Sequence, residues 1–145
     1  MKSPVRRKTT PKTPKPAKPA KPKLDPTRAM LQRLVVALDA KKAGDLQVLD
    51  VSALSSITDY LVVATATSDP HLRALRIELE RVLDEGKVPI LGVDTTKGSG
   101  WTVVDAFEIM IHLFTPENRE KYRLELLWKD AREVTVSELM LGKQG

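Results

Sequence analysis

Gly100-Trp101-Thr102-Val103-Val104-Asp105-Ala106-Phe107-Glu108-Ile109-Met110-Ile111-His112-Leu113-Phe114 is the stretch whose reading decides the fold. Residues 103–105 and Ile109–Phe114 are rich in β-branched and aromatic side chains, with a polar joint between them, so they predict two strands of a hairpin. Thr115-Pro116 then opens a helical segment: Thr caps, and Pro at the first helical position gives up a donor that lacks a partner anyway. Further on, Leu124, Leu127 and Trp128 fall at i, i+3 and i+4 and would share one helical face, with Glu125 and Lys129 as an exposed pair opposite. Residues 100–131 hold both Trp, both Phe and one of the two Tyr. A hairpin feeding an aromatic-bearing helical corner is the centre of the chain.

Upstream, residues 26–42 read as a helix with Asp25 as cap and an apolar stripe of Met30, Leu31, Leu34, Val35 and Leu38. Lys41 and Lys42 suit its C-terminus, and Gly44 suits a left-handed stop. Residues 46–51 predict a short strand and residues 52–56 a turn. Residues 60–67 (Tyr-Leu-Val-Val-Ala-Thr-Ala-Thr) predict a strand apolar on both faces, hence central. Ser68 caps a helix running to Glu85, with Leu72, Leu75, Leu79, Val82 and Leu83 on one face and Gly86 ending it. Residues 88–93 predict the next strand, residues 94–100 a loop, and residues 134–141 a short amphipathic piece. The expected class is α/β, with a mixed sheet of about five strands flanked by helices.

The 145 residues carry a formal charge of +5, but it is unevenly placed. Residues 1–24 hold nine Lys and Arg, six Pro and no acid, which leaves 15 basic against 19 acidic residues in residues 25–145, a formal −4. Residues 1–24 therefore predict a disordered, extended basic tail, and residues 25–145 the folded domain. The tail reads either as a nucleic-acid arm drawn to phosphates by counterion release or as a solubilising leader. With no cysteine, disulfides, thiolate chemistry and cysteine metal sites are excluded. No apolar run approaches the ~20 residues that span a bilayer, and no secretory apolar core opens the chain, so the expectation is a cytoplasmic protein.

Residues for catalysis are scarce. His71 lies near a helix start and His112 mid-strand, and no His pair has metal-ligand spacing. Asp50, Asp59, Asp94 and Asp105 sit at strand ends or joints, where α/β sheets gather ligands but where Asp also serves turns. The loop Thr95-Thr96-Lys97-Gly98-Ser99-Gly100 has its Gly after the Lys and a strand next, which is not a phosphate loop. Ser68 lacks the flanking Gly of a nucleophile elbow. Neither a metal nor a cofactor is expected. What remains is Trp101, Tyr122 and Trp128, which read either as core or as a partner-binding hot spot.

Thr58-Asp59-Tyr60 entering a Val-rich strand, Ser68 opening a helix, Gly100-Trp101-Thr102-Val103-Val104-Asp105, Ile109–Phe114 with His112 inside, and Tyr122-Arg123-Leu124-Glu125-Leu126-Leu127-Trp128-Lys129-Asp130-Ala131 occur in that order. Over residues 27–135 this set resembles the ribosomal silencing factor, or Iojap-like, family. The resemblance implies a nucleotidyltransferase-like fold without the transferase's catalytic residues. It also implies a translational repressor that binds the large ribosomal subunit through the universal ribosomal protein fourteen (uL-fourteen) and blocks joining of the small subunit, and a tendency to homodimerise. Carried over residue by residue, it implies Trp101, Asp105, Tyr122, Leu124, Glu125 and Trp128 as partner-binding residues, with His112 beside them. Asp94-Thr95 stands where the family has Glu-Gly, Asp69-Pro70-His71 replaces its usual polar helix opening, and the basic tail is not a family feature. The alternative is a nucleotide-binding or nucleotidyltransferase-like enzyme using Asp50, Asp59 and Asp105.

Overall fold

The computed structural model describes residues 26–95, 98–123 and 128–141. The expected tail, the Asp25 cap and the positions of Leu124, Glu125 and Leu127 lie outside the described residues. Helix α1 spans Pro26–Ala40 and buries Met30, Leu31, Leu34, Val35 and Leu38, the stripe its period predicts. Its end differs from expectation. The Ala43 amide donates to the Leu38 carbonyl (3.0 Å) and the Lys42 amide to that of Asp39 (3.0 Å). This is the double bond of a Schellman stop, which needs a left-handed residue between them. Lys42 fills that place at φ 68°, and Gly44 already belongs to strand β1, Gly44–Asp50.

Strand β2, Tyr60–Thr65, leads to helix α2, Asp69–Glu85. Ser68 caps α2 as expected, its hydroxyl accepting from the His71 amide at 3.2 Å. The strand ends two residues early because the Thr67 amide donates to His71 Nδ1 (2.9 Å) instead of a ladder, while His71 Nε2 lies 2.8 Å from the Lys41 carbonyl. His71 is thus a clasp between the ends of α1 and β2. Gly86 is the cap of α2 with an ordinary φ of −86°, and Lys87, at φ 60°, makes the left-handed turn. A Cβ on Gly86 would meet Met30 Cε at 2.2 Å, so a larger residue there would make the Met30 side chain shift.

The next strand is displaced from its predicted place. Pro89 cannot donate to a ladder, and Val88 and Ile90 turn down onto the core as a connector. Strand β3 is Gly92–Thr95 instead. Strands β4, Trp101–Ala106, and β5, Ile109–Phe114, form the expected hairpin, followed by α3, Pro116–Lys121. A sixth strand, β6, Arg132–Val134, and helix α4, Val136–Met140, divide what reads as one amphipathic piece. The sheet order is β3-β4-β5-β2-β1-β6, six strands rather than five, with β2 and β5 parallel and all other pairs antiparallel. β2 is interior, as its two-sided apolar pattern requires.

Both long helices cover one face of this sheet. There Val48, Val62, Ala64, Val104, Ile109, Ile111 and Leu113 meet the stripes of α1 and α2 in the main core. The opposite face buries a smaller set, Leu49, Val51, Leu61, Val63 and Phe114, under Trp101, Met110, Trp128 and Ala131, which are only half-buried.

Candidate binding site on the open sheet face

Alternation along β4 and β5 sends Trp101, Val103 and Asp105, and Met110, His112 and Phe114, to the face away from the helices. The register pairs Trp101 with Phe114, Val103 with His112, and Asp105 with Met110. Trp101 lies with its ring centroid 5.1 Å from Phe114 and 4.7 Å from Tyr122, at tilts of 34° and 32°. Its indole Nε1 donates to His112 Nδ1 at 3.2 Å. Burial drives the His112 imidazole down to about pH 4, so it stays neutral and free to accept. Tyr122, 38 % exposed, is the outer member of the cluster.

Glycine sets the corner that brings Tyr122 to Trp101. Gly100 is buried at φ 73°, and a Cβ there would strike Asn118 Nδ2 (2.4 Å) and Thr115 Oγ1 (2.7 Å). The Thr115 amide donates to the Gly100 carbonyl at 3.0 Å, and Asn118 donates to the Ser99 carbonyl. The start of α3 is therefore locked against the start of β4, and Tyr122, at the end of α3, swings over the indole.

The partner-binding residues inferred from sequence are partly assembled. Trp101 and Tyr122 stack together, with His112 and Phe114 beneath them. Trp128 packs on the same face against the Phe114 cluster. It sits in a turn closed by the Ala131 amide on the Trp128 carbonyl (2.9 Å), and residues 124–127 of the predicted helical stretch lie outside the described residues. Asp105 shares the face but lies four residues from Trp101, about 13 Å along the strand. Its Oδ1 accepts from the Phe107 amide at 3.2 Å, so it serves the hairpin turn. Leu124 and Glu125 lie outside the described residues.

Sequence reasoning missed Arg119. Its guanidinium reaches Thr65 Oγ1 (2.7 Å) and Gln47 Oε1 (3.4 Å), lining a polar hollow of about 510 Å³ between β1 and α3. No local pattern announces it, since its partners lie 54 and 72 residues away.

Asp50, Asp59 and Asp105 come to one end of the sheet but on three separate strands or their edges. Asp50 Oδ1 is taken by the Ser52 amide (3.0 Å) and hydroxyl (2.6 Å), as Asp105 is by its turn. Among the described residues no three His, Cys, Asp or Glu side chains gather to hold a metal ion.

The fold is thus a mixed α/β domain, its sheet covered by α1 and α2 on one face and carrying a half-buried aromatic cluster on the other. The family model described as "Ribosomal silencing factor during starvation" matches residues 24–144, and the chain belongs to that family. It is 29 % identical over 104 residues to the ribosomal silencing factor of Bacillus subtilis, covering 72 % of this chain and 88 % of that one. It is also 34 % identical over 101 residues to the mouse protein named for mitochondrial assembly of the ribosomal large subunit, covering 68 % of this chain and 44 % of that one. A crystal structure from Chromobacterium violaceum superposes with a TM-score of 0.68 at 29 % identity, over 73 % of this chain and 88 % of that one. Among the described residues, no helix is long and apolar enough to cross a membrane.

Proposed function

We propose that this chain represses translation by binding the large ribosomal subunit through the universal ribosomal protein fourteen and standing where the small subunit must dock. Membership of the silencing-factor family supports ribosome-associated regulation, and the mouse relative is named for the same subunit. The observation that carries the contact is the Trp101–Tyr122 stack on the sheet face opposite α1 and α2. Trp and Tyr half-exposed on a rigid platform are the side chains that dominate interface energetics. The acidic balance of residues 25–145 suits a basic ribosomal protein. Leu124, Glu125 and Trp128 extend the proposed contact around that stack, and Asp105 extends it to the far end of β4 on the same sheet face. The basic residues 1–24 add a salt-sensitive touch to rRNA. The action is steric, and no bond is made or broken.

Tyr122→Ala tests the site, because Tyr122 is exposed enough to be cut without opening the core. Co-sedimentation with isolated large subunits should weaken at least tenfold while the thermal midpoint moves little, and inhibition of subunit joining should fall in step. Binding within twofold of the parent would remove Tyr122 and its stack from the contact. The nucleotide-handling reading predicts micromolar heat on titrating ATP with magnesium; the binding reading predicts none.

A further inference from the structure

His112 is a polar ring among apolar neighbours. The register places it between Val63 of β2 and Val103 of β4, and its ring lies nearly parallel to that of Phe114, with centroids 6.2 Å apart. The side chain is only 9 % exposed. A polar group buried that far is costly unless its atoms find partners. Nδ1 has one, accepting from the Trp101 indole at 3.2 Å. An indole N–H can only donate, so Nδ1 carries the lone pair and the neutral ring keeps its proton on Nε2. Among the described residues no atom accepts from Nε2. Nor is Nε2 closed off from solvent. It is the ring nitrogen farther from the backbone, so this donor faces outward on the sheet face opposite α1 and α2.

The charges on that face narrow the acceptor. Asp94 pairs with Val103 and Asp105 with Met110, so one carboxylate lies in the row of His112 and the other in the next row. The Arg119 guanidinium, on the β1 side, is turned onto Thr65 and Gln47. A phosphate or carboxylate approaching Nε2 would meet two like charges, whereas a neutral carbonyl would not, and Lys or Arg beside that carbonyl would gain from both. We propose that His112 Nε2–H donates to a main-chain carbonyl of the basic protein that binds this face. The proposal rests on the ribosomal-protein reading above and adds the atom that fixes the partner's register. A chain of hydrogen bonds then runs from the Trp101 indole through the imidazole to the partner. Accepting at Nδ1 draws charge from the ring and strengthens the Nε2–H donor. Trp101 and Tyr122 supply apolar area, and His112 supplies direction.

His112→Met and His112→Gln separate this role from packing. Both fill the site, but Gln keeps an amide donor and Met has none. In the full-length protein, His112→Met should weaken co-sedimentation with isolated large subunits at least about tenfold, because the partner carbonyl is buried without a donor, and His112→Gln should recover most of the loss. A second measurement needs no folded variant. In the parent protein with isotope-labelled histidines, the free His112 ring should show its proton on Nε2 and none on Nδ1. Adding purified ribosomal protein fourteen should slow exchange of that proton with water at least about tenfold, as a buried hydrogen bond requires. A proton on Nδ1 in the free ring, equal binding by the Met and Gln variants, or unchanged exchange in the complex would overturn the proposal. Should Tyr122→Ala still abolish binding in that case, the aromatic contact stands and only the His112 donor falls. Protection gained on whole subunits but not with the purified protein would move the acceptor to RNA and overturn it as well. A parent chain that binds neither would remove both readings together.

Discussion

Lys42 and Lys87 occupy backbone that glycine ordinarily holds, at φ 68° and 60° after the two long helices. A left-handed L-residue costs about 1–2 kcal/mol, and glycine's extra unfolded-state freedom returns roughly 0.5–1 of that. Lys42→Gly and Lys87→Gly should each stabilise the fold by up to about 1 kcal/mol, read as a rise of a few degrees in thermal midpoint. His112 works in the opposite sense. Its ring titrates near 6.5 when unfolded and about 4 when folded, because burial disfavours the charged form. The unfolded chain therefore binds the extra proton first. The stability linked to His112 is fully present above pH 6.5 and is lost progressively as pH falls to about 4, by ~3 kcal/mol. Urea midpoints measured across that range should show the slope, and His112→Gln, which keeps an acceptor for the Trp101 indole, should remove its share.

At the scale of elements, α2 is the best-specified piece. Its cap, Pro70 in the first turn and its apolar stripe all agree. Ser68→Ala leaves the His71 amide without its side-chain acceptor and should cost about 1 kcal/mol in chemical denaturation. Elements whose limits depend on neighbours were less legible. Val88 and Ile90 have strand composition, yet the left-handed Lys87 and Pro89 make them a connector, and the pairing edge falls on Gly92–Thr95. β6 is three residues long and exists because β1 offers an open edge. Trp128 has helical spacing from Leu124 but itself lies in a turn closed by Ala131.

For the whole molecule, charge is divided between residues 1–24 and an acidic remainder. If the basic run touches rRNA, removing residues 1–18 should flatten the fall in large-subunit affinity between 50 and 200 mM salt without abolishing binding. Co-sedimentation at the two salt concentrations measures it. Loss of all binding would move the recognition from the aromatic face to the basic run.

By itself the sequence determined the helix stripes, the interior place of β2 and the β4–β5 hairpin. Each follows from a local period of 3.6 or 2, which side-chain burial enforces within a few residues. Only the tertiary structure decided that Tyr122 closes over Trp101, that Arg119 spans to Gln47 and Thr65, and that Asp105 serves its turn rather than the aromatic cluster. Those contacts join residues far apart in the chain or depend on backbone such as Gly100 and Phe107 holding positive φ, and no local pattern encodes which distant surface a side chain will meet.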